Sequence, residues 1–225
     1  MRLSIYFIGV LSLLTSCIGN DILEDTVAEE IKITDRVDTL GLNDTYQFLA
    51  RYTDQIGRVQ DASVNWNSSS PTIVSIDANG LATGLSVGEA TVYVELNEVG
   101  APALQDSVKV KVGTETVEPP AENRSGLIQT TTFYELTGDF EIEANGDDII
   151  IKIADNYKAS STLPGLYLYL TNNPNSITDA VEVSKVTTFS GEHEYEVADV
   201  GLNDYDYLLY YCKPFNVKVG DGEIQ

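Results

Sequence analysis

The sequence predicts an all-β protein, with two β-sandwich domains in tandem behind a short N-terminal leader. Three observations carry that expectation. Apolar and polar residues alternate at a period of two along several short runs, clusters of Gly, Asn, Asp and Pro separate those runs, and nothing after the leader carries an apolar stripe at helical spacing. A proline pair, Pro119-Pro120, stands between two stretches of roughly equal length and marks a semi-rigid spacer of extended geometry.

The leader comes first. Arg2 precedes an apolar run from Ile5 to Leu14, and the run closes on Leu14-Thr15-Ser16-Cys17. It is shorter than the ~20 residues of a comfortable transmembrane helix and has the charged start, apolar middle and small-residue end of an export signal. An uncleaved anchor is the alternative. The last four residues resemble the lipobox of bacterial lipoproteins, which implies cleavage after residue 16 and lipid on Cys17. Residues 17–29 then form an acylated tether with a reach of at most about 45 Å. The acidic run from Asp21 to Glu30 resembles the surface-export signals of Bacteroidetes lipoproteins. That resemblance implies an outer-membrane protein, lipid-anchored and facing the cell exterior.

Residues 30–113 form the first predicted unit. Thr91-Val92-Tyr93-Val94-Glu95-Leu96 and Val108-Lys109-Val110-Lys111-Val112 alternate as half-buried strands do. Asp77-Ala78-Asn79-Gly80 supplies residues that tolerate positive φ, so a hairpin joins Ile73–Ile76 to Leu81–Thr83. A seven-stranded sandwich with Trp66 in its core is expected. Three blocks, Val64 to Ser69, Thr72 to Thr83 and Gly88 to Val92, resemble the bacterial Ig-like group 2 family, which implies a spacer or adhesive module and no catalysis. Gly84-Leu85-Ser86-Val87-Gly88 spells a nucleophile elbow, but that device needs a strand leading into a helix, and Ser86 lies between two predicted strands.

Residues 114–125 are the linker, and residues 126–225 the second unit. Nine of the thirteen tyrosines lie between Tyr134 and Tyr211. Ile149 to Ile153, Gly165 to Leu170 and Tyr207 to Cys212 are short β-prone runs bounded by turn residues, which predicts a second sandwich or an open barrel. Leu136 to Ile142, Leu163 to Leu170 and Tyr210 to Val217 resemble the DM-thirteen domain. That family has been linked to redox or electron transfer through a cysteine, and Cys212 occupies its position. Gly165, where an acidic residue is usual, and His193 depart from the family's pattern.

Composition limits the chemistry. The net charge is −22, a surface that repels phosphate backbones and argues against nucleic acid as a partner. Contact with the membrane is expected through the lipid anchor only. Without the leader, Cys212 is the lone thiol and His193 the lone histidine, and methionine is absent. Those counts exclude multi-Cys/His zinc sites, a Cys-x-x-Cys-His haem attachment and paired haem ligation within one chain. No cofactor or metal is expected, and haem through Cys212, or between chains at His193, is the residual case. Asp147-Asp148 and Asp204-Tyr205-Asp206 offer oxygen without the graded spacing of a calcium loop and are expected to be turn acids.

Cys212 is the redox candidate, with a buried structural thiol and an interchain disulfide as alternatives. Lys213, its neighbour on a strand, is expected to point away from the sulfur. His193, Tyr167, Tyr169, Tyr210 and Tyr211 are the candidate ligand-binding residues. Exposed aromatic clusters anchor protein or glycan partners, whereas the same tyrosines turned inward would pack the core. The expected role is a non-enzymatic interaction or accessory module, with the assignment leaning away from an enzyme. A thiol-based electron-transfer component is the alternative.

Overall fold

The computed structural model describes residues 26–34, 36–96, 103–117 and 123–225. The leader, Cys17 and the Pro119-Pro120 pair lie outside the described residues. Among those described there is no α-helix, and no helix is long and apolar enough to cross a membrane.

The first unit comprises β1 (Glu30–Ile33), β2 (Thr39–Gly41), β3 (Thr45–Gln47), β4 (Ala50–Thr53), β5 (Val59–Gln60), β6 (Val64–Ser68), β7 (Val74–Ile76), β8 (Leu81–Gly84), β9 (Gly88–Leu96) and β10 (Gln105–Gly113). They form three small sheets, ordered β1-β4-β5, β2-β10-β9-β6 and β3-β8-β7. Ten strands stand where a seven-stranded sandwich was expected, most of them five residues or fewer. Their alternation still sets the core: Val92 and Val94 of β9 and Val110 and Val112 of β10 are fully buried, beside Phe48 and Trp66. The predicted hairpin forms, with Ser75 opposite Thr83 and Ile76 opposite Ala82. Gly80 closes it at φ +85°, and a Cβ there would lie 2.7 Å from the Phe48 carbonyl and 3.0 Å from the Trp66 indole nitrogen. Glycine is needed at that turn both for its backbone conformation and for the indole's close approach.

The second unit comprises β11 (Arg124–Thr130), β12 (Leu136–Asn145), β13 (Asp148–Ile153), β14 (Lys158–Ala159), β15 (Leu166–Thr171), β16 (Val181–Lys185), β17 (His193–Val197), β18 (Tyr207–Cys212) and β19 (Val217–Glu223). One sheet contains all of them, in the order β16-β15-β18-β19-β11-β12-β13-β17, with β14 alongside β12. The sheet curls around a single core, and its end strands β16 and β17 approach one another without pairing. This is the open-barrel form of the predicted all-β unit. Its first strand starts at Arg124, inside the stretch expected to be linker, because Arg124 and Ser125 pair with Ile142 and Glu141.

The two units are docked through a buried charged joint. Arg51 of β4 donates from Nη2 to Asp206 Oδ2 at 3.0 Å and from Nη1 to the Asp204 carbonyl. Lys32 Nζ meets the other Asp206 oxygen at 3.0 Å, and Arg124 stands 4.0 Å from it. The Arg51 and Asp206 side chains are only 7% and 11% exposed, so water screens them poorly. Asp206 is therefore an interdomain anchor and not the turn acid expected. Asn173 Nδ2 donates to the Ile56 carbonyl at 3.1 Å and Asn203 Nδ2 to the Thr34 carbonyl at 2.9 Å, which extends the joint on both sides.

Candidate functional site

Strand parity in β18 sorts the predicted site residues. Side chains alternate across a strand, so Leu208, Tyr210 and Cys212 face the barrel core while Leu209 and Tyr211 face outward. Cys212 is 1% exposed, opposite Leu166, among leucines and isoleucines. The sulfur has no route to a partner chain or a soluble oxidant in this state. Lys213, expected on the strand, instead opens the 3-10 helix Lys213–Phe215 after it; its ammonium pairs with Glu182 and lies 4.3 Å from the Tyr167 ring centroid.

On the outer face the tyrosines are covered rather than presented. Tyr169 and Tyr211 are 3% and 8% exposed and pack with Leu209 against Ile177 and Ala180. Tyr169 Oη donates to Glu182 Oε2 at 3.1 Å, and Tyr211 Oη donates to Asn216 Oδ1 at 2.9 Å. Burial, with the Glu182 carboxylate beside it, raises the Tyr169 phenol, while the Lys213 ammonium holds Glu182 below the usual carboxylate range. Tyr167 is half-buried under Lys213. The reading of these tyrosines as core and shell packing is the one their geometry fits. Among the described residues the large aromatics that do face solvent are Phe133, 90% exposed, and Phe215, 60% exposed. Phe133 lies in a Thr-rich turn and Phe215 in the one-turn 3-10 helix Lys213–Phe215. Neither has alternation around it, so pattern reading passed over both.

Inside the barrel the structure brings together residues that the sequence kept apart. Tyr157, from the turn after β13, and Tyr210 are both fully buried, with ring centroids 6.1 Å apart. His193, at the start of β17, meets Tyr157 edge-on at 4.9 Å and Tyr195 at 5.3 Å. Gly138 makes room for this cluster, since a Cβ there would lie 2.9 Å from Tyr157 Cα. Burial drives both phenols far above the ordinary tyrosine range. Their hydroxyls act on one another, yet neither finds a partner at hydrogen-bond geometry. His193 Nδ1 lies 2.8 Å from the Gly191 carbonyl, while Nε2 is buried and unpartnered.

Among the described residues Ser86, the serine of the elbow-like sequence, has no acid or base beside it. Ser86 Oγ donates to the Thr72 carbonyl in an exposed turn between strands. Among the described residues no group of three or more His, Cys, Asp or Glu side chains could hold a metal.

Two all-β modules, one of three small sheets and one an open barrel, joined by a buried ion pair, define a tandem-domain protein. Residues 28–108 match the bacterial Ig-like domain (group 2) and residues 128–224 match the electron transfer DM13 domain, so a match to an Ig-like domain is followed by a match to a DM13 domain. It is 33% identical over 82 residues to an uncharacterised protein of Clostridium acetobutylicum, covering 36% of this chain and 20% of the relative. The chain thus spans about a fifth of that relative's length. Similar solved structures include the S-layer protein rSbsC(31-844), at 14% identity and TM-score 0.30 over 87% of this chain and 27% of that one. SbsC domains 4 and 5 give 15% identity and TM-score 0.28 over 87% and 96%.

Proposed function

We propose that this chain is a non-enzymatic cell-surface lipoprotein, in which the Ig-like domain holds the DM13 domain at a fixed attitude for interaction with a protein or glycan partner. The buried Arg51–Asp206 joint supports this reading most directly. A flexible spacer would need no desolvated ion pair, whereas a presenting module gains from preorganisation. The Leu14-Thr15-Ser16-Cys17 sequence supplies the anchor and the acidic run after it the outward address, so the membrane serves as a tether on the exterior of the outer membrane. Phe133 and Phe215 are the exposed aromatic anchors available to a partner.

Protease treatment of intact cells, with fatty-acid labelling of the chain and of its Cys17→Ala variant, tests this. Label that depends on Cys17, and loss of the protein from intact cells under protease, are the expected results. Unlabelled or protease-resistant protein would remove the proposal.

The description of the DM13 family favours a second reading, electron transfer through Cys212. A thiol 1% exposed works against it, because thiolate chemistry needs access.

A further inference from the structure

We propose that Tyr157 Oη, Tyr210 Oη and His193 Nε2 form an internal hydrogen-bonding site in the DM13 barrel that binds one water molecule.

Three buried polar atoms, on residues from separate strands and turns, are without a partner at hydrogen-bond geometry, and the rings that carry them pack together in the barrel. A buried hydroxyl without a hydrogen bond costs free energy, and nearly all such groups in folded proteins are satisfied. Among the described residues three of the four such unsatisfied atoms belong to this one cluster, the fourth being Arg51 Nε at the interdomain joint. Tyr157 touches both of the other residues, at ring separations of 4.9 Å to His193 and 6.1 Å to Tyr210.

The chemistry of the three atoms is complementary through water. A carbonyl oxygen only accepts, so the 2.8 Å contact to Gly191 requires the proton of a neutral imidazole to sit on Nδ1. Nε2 is then an acceptor with its lone pair turned into the core. The two phenols are neutral at any physiological pH and offer O–H donors. A molecule that accepts from both phenols and donates to the imidazole satisfies all three atoms, and water does so with three bonds, within the range that buried waters usually have. An anion would lack the proton Nε2 needs, and a cation would meet two phenols that burial keeps protonated.

The site also explains Gly138, whose missing side chain lets the Tyr157 backbone approach at a distance any Cβ would block. It places a polar, exchangeable group on the inner barrel face that Tyr210 shares with Cys212, in a core otherwise built from aliphatic and aromatic side chains.

High-resolution diffraction from the full chain, paired with thermal unfolding of Tyr157→Phe, Tyr210→Phe and the double variant, is the test. The expected map has a peak within hydrogen-bond reach of His193 Nε2 and at least one of the two phenols. Each single variant should melt about 2–4 °C lower, and the double variant should melt well above the sum of the two losses, since both hydroxyls share one ligand. Phenylalanine is nearly isosteric, so the variants should fold; near-ultraviolet circular dichroism reads the packing directly. Two phenols bonded to one another with nothing against Nε2 would overturn the proposal. So would Phe variants as stable as the parent or more so, the result for hydroxyls with no ligand to lose.

Discussion

At the scale of single residues, this protein is governed by what its tyrosines and the Cys212 thiol are denied. Tyr157, Tyr195 and Tyr210 all have phenols raised by burial. A group whose folded pKa lies above its unfolded value stabilises the fold fully below the unfolded value and loses that contribution as pH rises through the folded one. For tyrosine the loss therefore begins above about pH 10. Spectrophotometric titration should show Tyr157, Tyr195 and Tyr210 ionising only together with unfolding; their ionisation in the native protein at the ordinary tyrosine value would contradict the burial described. Cys212 follows the same logic of access. With 1% of its surface exposed, it should resist alkylation in the native chain and react at the rate of a free thiol in denaturant. Rapid native labelling would restore the redox reading of this residue.

At the scale of strands and turns, the alternating pattern of β9, β10 and β13 was legible because each runs in register beside its neighbours with one face in a core. Trp66 and the β7–β8 hairpin were legible for the same local reasons. The orientation of β18 was legible only by half. Parity separates Tyr210 from Tyr211, but it cannot say that the outer face is also covered, because the cover comes from Ile177 and Ala180, some thirty residues upstream. The joint left no local trace at all: Arg51 and Asp206 are 155 positions apart and each looks like an ordinary surface charge. The same holds for Gly57 in the β4–β5 turn, at φ +85°, where a Cβ would lie 2.6 Å from Asn173 Cβ in the other domain. Gly57→Ala should cost roughly 1–2 kcal/mol from the left-handed backbone alone, and more as the turn is pushed off its neighbour. Chemical denaturation measures the loss; an unchanged midpoint would mean the turn is not held against the second domain.

At the scale of the whole molecule, the question is whether a linker with a proline pair or the Asp206 joint determines how the domains stand. Removing one partner of a buried ion pair leaves the other charge desolvated and typically costs roughly 3–5 kcal/mol. Asp206→Asn leaves Arg51, Lys32 and Arg124 facing one another without their shared carboxylate. That repulsion should be relieved by the domains parting, since each keeps its own core. Salt separates this mechanism from a surface contact. At about 1 M ionic strength the screening length falls to roughly 3 Å, which dissolves exposed pairs but acts weakly on buried ones. Small-angle scattering from the unlipidated Cys17→Ser chain should therefore give the same compact profile at low and high salt, and Asp206→Asn should give a longer, more variable particle under both. An expansion of the parent chain with salt would show that the joint is wet and that the linker governs the arrangement. In that case the Ig-like domain would be a tether for the DM13 barrel and not its mount.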